Sequence, residues 1–269
     1  MKKNLFWSFS LFAVFAVCFS VVSAQKNDTG STSEKPYFVG ETFNYEIKYS
    51  KVVLRGIAVG DLSFTVERAP DGENYLVKSE AKSKGTLAKL VGFTFLEQLQ
   101  STVDSKTLDI LKSLKHDVQN ERVRDSEAIF DYKNNQVTYA EIDPKDAMRA
   151  PRKAASQIEA GTQDFISGLY FLRTMPLAVG KTFELTISDT GLVYKIPVRV
   201  TARVQQKTSL GKVWCFRVEP EIFGKNRLID QEGSMIIWIT DDNRRIPVRS
   251  QINAKIGRVE VKLKSISYK

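Results

Sequence analysis

Asp164, Tyr170 and Arg173 fall in one run, Thr162 to Thr174, which reads TQDFISGLYFLRT. A carboxylate, a phenol and a guanidinium so close together can hold an anionic or amphipathic ligand, or anchor a helix through a buried ion pair. Asp164 and Arg173 are nine positions apart. At about 100° per residue they face opposite sides of a straight helix, so each needs its own partner. Arg173, near the C-terminal end, suits the helix dipole and can clamp a carboxylate of the chain or the anionic group of a ligand. Trp238 lies in Met235-Ile236-Ile237-Trp238-Ile239, apolar on both faces, and Phe93 and Phe95 lie in the hydrophobic stretch Lys89 to Leu96. If buried, that stretch is core; if exposed, it touches a membrane or a partner. Lys145, Arg149, Arg152 and Lys153 gather around Pro144 and Pro151. Such a group reads as a solvated loop, or as a contact for anionic headgroups or surface polysaccharide worth about 1 kcal/mol per basic residue near an anionic membrane.

Much of the usual catalytic alphabet is missing. One His and two Cys are too few for a His-rich metal site, a zinc ribbon or a disulfide scaffold, and no metal or cofactor is expected. The phosphate-loop, dinucleotide-binding, HExxH and CxxC patterns are absent. Ile166-Ser167-Gly168 lacks the leading glycine of a serine-nucleophile elbow and sits in a helical pattern. A Ser-His-Asp triad would have to use His116, which reads as a partly exposed structural residue on a strand. Paired carboxylates for glycan hydrolysis stay open as an alternative, with Glu219 and Glu221 flanking Pro220 and Asp241 beside Asp242. Both pairs read as strand ends and turns.

The N-terminal MKKNLFWSFSLFAVFAVCFSVVSAQ has two lysines, an apolar run and small residues before Gln25, the layout of a secretory signal cleaved near Ala24. The apolar run is also long enough for a retained anchor. Cleavage removes Lys2, Lys3 and Cys18 and lowers the formal charge from +9 to +7. Cys215 is then alone among large apolar neighbours, where a small buried hydrophobe is expected. Residues 25–36 are polar and read as a flexible leader. Periplasmic or outer-membrane association follows, and nucleic acid is a poor partner for such a chain.

The elements that must hold these residues are mostly strands. Phe43, Tyr45, Ile47 and Tyr49 alternate with polar residues, and the same period runs from Leu192 to Val204. At about 3.3 Å per residue the second run is about 40 Å long, which suits a strongly curved sheet. About thirteen strands are expected in all, many separated by turns such as Asp189-Thr190-Gly191 and Lys133-Asn134-Asn135. In the last strand Val259, Val261 and Leu263 share one parity and Ile266 and Tyr268 the other, so a bulge is expected near Lys264-Ser265. The Thr162 to Thr174 run carries a broad apolar stripe for a helix capped by Thr162 or Asp164 and stopped by Pro176. A second short helix is expected over 147–157, interrupted by Pro151. The expected fold is all-β and mainly antiparallel: one domain over 37–269, a curved sheet or partly closed barrel or sandwich with one or two short helices packed on it.

Three segments carry a resemblance. Gly40-Glu41-Thr42-Phe43-Asn44-Tyr45, then Asp164 to Arg173 with Gly180-Lys181-Thr182, then Trp238-Ile239-Thr240-Asp241-Asp242 with Arg245-Ile246-Pro247, together resemble the bacterial family called domain of unknown function 3108. The resemblance implies an exported, β-rich protein and brings no catalytic residues. Asp164, Tyr170, Arg173 and Trp238 match its motif positions, as ligand contacts or as fold determinants. The reading that follows is a non-enzymatic envelope protein whose curved sheet binds a lipid, another amphipathic ligand, or an outer-membrane or envelope protein. The alternatives are the glycan hydrolase and a purely structural or assembly factor that uses Leu90 to Leu96 as its contact.

Overall fold

The computed structural model describes residues 37–269, so the expected signal (1–24) and leader (25–36) lie outside the described residues. Among the described residues, fourteen strands form a single antiparallel sheet. The first eight are β1 (Glu41–Lys51), β2 (Leu54–Arg68), β3 (Tyr75–Ser83), β4 (Phe95–Val103), β5 (Ile110–Gln119), β6 (Arg122–Asp131), β7 (Gln136–Ile142) and β8 (Arg152–Gln157). The other six are β9 (Thr182–Asp189), β10 (Leu192–Thr208), β11 (Gly211–Pro220), β12 (Gly233–Thr240), β13 (Pro247–Ala254) and β14 (Gly257–Tyr268). Spatially the order runs from β8 down to β1, then from β14 down to β9. Two meanders are thus joined at their first and last strands, where Thr42 pairs with Ser267 and Tyr49 with Val259.

Alternation explains the sheet's two faces. Phe43, Tyr45 and Ile47 on β1, Leu62, Phe64 and Val66 on β2, and Val259, Val261 and Leu263 on β14 all turn inward and are buried. Near the end of β14, Asn44 pairs with Ser265 and Tyr45 with Leu263, leaving Lys264 as the expected bulge.

The chain leaves the sheet at β8 and re-enters at the opposite edge, β9. The crossover carries α2 (Phe165–Phe171) and a short 3₁₀ turn (Leu172–Thr174). Phe165, Ile166, Leu169, Tyr170 and Leu172 are all buried, so this segment fills the space inside the curl. The sheet is not closed by a continuous ladder, but its edges meet at a seam. Ser156 Oγ donates to Gly191 O at 2.7 Å. Gln163 makes a parallel bridge to Ile187, with Gln163 N donating to Thr186 O (3.0 Å) and Ser188 N to Gln163 O (2.8 Å). Thr190 and Gly191 both have positive φ (51° and 78°) in the two-residue turn between β9 and β10, the geometry such a hairpin requires.

Two expectations need correction. The segment 147–157 holds no helix: its second half is β8, an edge strand begun after Pro151 and paired through Tyr139 with Ala154. Pairing with β7 outweighs the helix preference of Ala154 and Ala155, and Arg152 and Lys153 are charges of the kind that guard an edge. The stretch from Lys89 to Leu96 is split between a short helix, α1 (Gly85–Val91), and the start of β4.

Candidate functional site

Asp164 is the N-cap of α2. Its Oδ1 accepts from Ile166 N (3.0 Å), Ser167 N (2.8 Å) and Ser167 Oγ (2.9 Å), and its Oδ2 accepts from Ser101 Oγ on β4. Asp164 N in turn donates to Ser167 Oγ (3.0 Å), completing a capping box. This carboxylate is fully occupied in fixing the helix start.

Arg173 meets Glu41, at the first position of β1. Nη1 donates to Oε1 at 2.6 Å and Nη2 to Oε2 at 3.2 Å, while Nε donates to Arg244 O at 3.0 Å. The rings of Phe38, Phe43 and Tyr170 surround the guanidinium, each centroid 5.4 Å from Cζ. Tyr170 stacks on Tyr37, with centroids 5.1 Å apart. Burial lifts the Glu41 carboxyl above its ordinary value, although the Arg173 hydrogen bond and charge pull it down. Both charges of the pair lie in the core rather than at a ligand site.

The other singled-out residues scatter. Phe95 is core at 6% exposure, and Phe93 packs beside it with ring centroids 6.2 Å apart. Of the Leu90 to Leu96 segment, Phe95 is therefore not an exposed contact, whereas Leu90 is exposed. Lys145, Arg149, Arg152 and Lys153 are exposed on the β7–β8 connection and the start of β8. They are partly neutralised, Arg149 lying 3.7 Å from Asp143 and Lys145 4.0 Å from Glu121. His116 faces Asp125 across β5 and β6 at 2.5 Å. Cys215 is completely buried, and desolvation, helped by Asp242 and Asp241, pushes its thiol up to about 12, so it stays protonated and unreactive.

Sequence reasoning missed a charged layer on the inner face of β4 to β7. Register places Glu97, Lys115, Asp117, Arg124, Ser126 and Glu141 on that face. Lys115 Nζ sits 2.6 Å from Glu97 Oε1 and Arg122 Nη1 2.5 Å from Asp117 Oδ2. Burial works against the Lys115 charge, but Glu97 and Asp189 hold it above the usual lysine value. Beside it Asp189 closes the layer from β9. Burial pushes its carboxyl above the ordinary aspartate value, and Lys115 and Arg152 offset only part of this. The signal was available in the sequence: Glu97 shares the parity of Phe95 and Leu99, as Glu41 shares that of Phe43 and Tyr45.

A carboxyl whose folded pKa exceeds its unfolded value stabilises the fold below about pH 3.9 and loses that contribution as pH rises through the folded value. Asp189→Asn should therefore leave the melting temperature nearly unchanged at pH 4 and raise it at pH 7.5. Thermal melts across that range check this; a variant less stable than the parent at pH 7.5 would contradict it.

Lys115, Asp164, Asp189 and Tyr139 line a chamber of about 40 Å³. That is room for a few water molecules, where ligand pockets run from about 300 to 1,000 Å³. The chamber does not admit a sugar ring. A ligand-sized space lies instead outside the sheet. Distal residues of the β10–β11 hairpin, Gln206 to Ser209, reach the outer face of β1, β13 and β14 and enclose a groove of about 450 Å³ with Glu46, Lys48, Arg249, Lys262 and Lys264. Arg249 Nη1 donates to Gln206 Oε1 at 3.2 Å, tying the hairpin down. Trp238 lies under this arrangement, with the Arg249 guanidinium 4.5 Å from its ring centroid.

A family model described as "Protein of unknown function (DUF3108)" matches residues 44–264. No curated protein matches the sequence. Among solved structures, a beta-barrel-like protein of domain of unknown function DUF1849 from Brucella abortus superposes with a TM-score of 0.60 at 11% identity, covering 87% of this chain and 99% of that one. A protein with a YmcC-like fold from Bacteroides fragilis gives a TM-score of 0.36 at 10% identity, covering 86% and 97%. The Brucella structure shares the fold alone.

Proposed function

From the premise that the chain belongs to the DUF3108 family of proteins of unknown function, we propose that it is an exported, non-enzymatic protein of the cell envelope that binds an envelope component on the outer surface of its curved sheet. The export reading rests on the Met1 to Gln25 pattern of charge, apolar run and small residues. The binding reading rests on one contrast: about 40 Å³ of free space in the inner chamber against about 450 Å³ in the outer groove. Side chains of α2 and the aromatic cluster around Tyr170 occupy the interior that a lipid carrier would leave open. Glycan hydrolysis finds little support, because the carboxylate pairs Glu219 with Glu221 and Asp241 with Asp242 are held in ion pairs with Arg217, Arg199, Arg203 and Arg244, and the inner chamber is too small for a saccharide.

Hydrogen exchange tests this reading. The protein, prepared gently from an envelope fraction, is compared with the same protein after delipidation and washing. The bound component should protect Glu46 to Lys48, Gln206 to Ser209 and Arg249 and leave β4 to β7 unchanged. Protection confined to the inner strands would sink the outer-surface reading. So would identical exchange in the two preparations together with no co-purifying component by native mass spectrometry.

A further inference from the structure

We propose that the groove beneath the β10–β11 hairpin is a binding site for phosphate-bearing anions. This rests on the outer-surface reading and gives the chemistry of its ligand. Five cations, Lys48, Lys207, Arg249, Lys262 and Lys264, line the groove. Among the described residues, two carboxylates serve them. Glu46 takes Lys48 at 3.1 Å and Lys264 at 4.0 Å, and Glu260 takes Arg249 and Lys262, the latter at 2.8 Å. The acids lie low, with side chains 17% and 16% exposed, while those of Lys262 and Lys264 are 44% and 60% exposed. The cationic ends therefore meet solvent, with three positive charges in excess.

Arg249 is the one cation of the group that the protein itself fixes on both sides. Its Nη atoms are held by Gln206 and Glu260, but its buried Nε has no hydrogen-bond acceptor among the described residues. Phosphate suits this site better than carboxylate. A planar carboxylate is served by one guanidinium fork, whereas a phosphate offers several oxygens and up to two charges to point-like ammonium groups arriving from different directions. Here the ammonium groups come from β1, β10 and β14, beside the Arg249 guanidinium from β13. The hydroxyl-bearing Thr208 and Ser209 complete the wall on the hairpin side.

Two sources of phosphate are separated by experiment. Isothermal titration with inorganic pyrophosphate reads a soluble anion. Co-sedimentation with phosphatidylglycerol vesicles, with and without pyrophosphate as competitor, reads a lipid headgroup. Saturable pyrophosphate binding without vesicle binding assigns a soluble phosphate; vesicle binding displaced by pyrophosphate assigns the headgroup; either supports the site. Lys207→Glu with Lys264→Glu should weaken the interaction at least tenfold while leaving circular dichroism and melting unchanged. Lys145→Glu with Lys153→Glu, on the β7–β8 connection, should leave it intact. The proposal is overturned if neither probe binds, if citrate binds as tightly as pyrophosphate, if the groove variant binds like the parent, or if the β7–β8 variant is the one that loses binding. An envelope component that protects the groove from exchange but carries no phosphate would overturn the phosphate chemistry and leave the outer-surface reading standing.

Discussion

Arg173→Met should lower the unfolding free energy by about 3–5 kcal/mol, because it strands the Glu41 carboxylate in the core without its partner. For a domain of this size the melting temperature should fall by about 10 °C. Urea unfolding followed by tryptophan fluorescence checks the first and a thermal melt the second. The double replacement Glu41→Leu with Arg173→Met should recover most of the loss. Desolvation is the larger influence on Glu41, and a buried ion pair often contributes no more than an apolar pair of similar volume. A single-variant loss below about 1 kcal/mol would mean that the pair is solvated in solution and does not fasten α2 to β1.

Gly191→Val should be nearly as damaging, for a different reason. Gly191 has φ +78°, and a Cβ there would lie 2.6 Å from Tyr139 Cβ and 2.8 Å from Ala154 Cβ. The substitution adds backbone strain to a collision at the seam between β8 and the β9–β10 turn, for an expected loss of about 3 kcal/mol or more. Gly211→Ala provides the comparison. Gly211 has φ +90° but no atom within 4 Å of its Cβ position, so only the backbone cost of about 1 kcal/mol applies. Equal losses in the two variants, measured by chemical denaturation, would show that contact across the seam adds nothing. A larger loss for Gly191→Val, with faster exchange of β8 amides, is the expected result.

These two sites differ in how legible they were. Regular alternation from Leu192 to Val204 announced the long strand β10, and the parity switch after Leu263 announced the bulge in β14, because both are local properties of a pleated chain. The first half of β2, Leu54 to Gly60, shows no clean alternation because neither parity is consistently buried there. Strand β8 was hidden for a related reason: Ala154 and Ala155 prefer helix, and only β7 makes them a strand. The N-cap role of Asp164 was readable from its place before an apolar stripe. Its contact with Ser101 and the Arg173 contact with Glu41 were not, since each joins residues far apart in the chain. The groove is harder still, because Lys48, Lys207 and Lys264 meet only after the β10–β11 hairpin has come down on the outer face of the sheet.

The pairing of β1 with β14 also bears on when the molecule can assemble. The first strand finds one of its two neighbours among the last dozen residues, with Glu41 opposite Tyr268, and Lys269 N closes on Gly40 O. Such a ladder spans almost the whole chain, and contacts of that range are slow to form because the loop between them must be ordered first. Until β14 is available, the two meanders have no common ladder and β1 keeps a bare edge. The sheet as a whole is therefore completed only once β14 is in place, whatever the order in which the hairpins within each meander form.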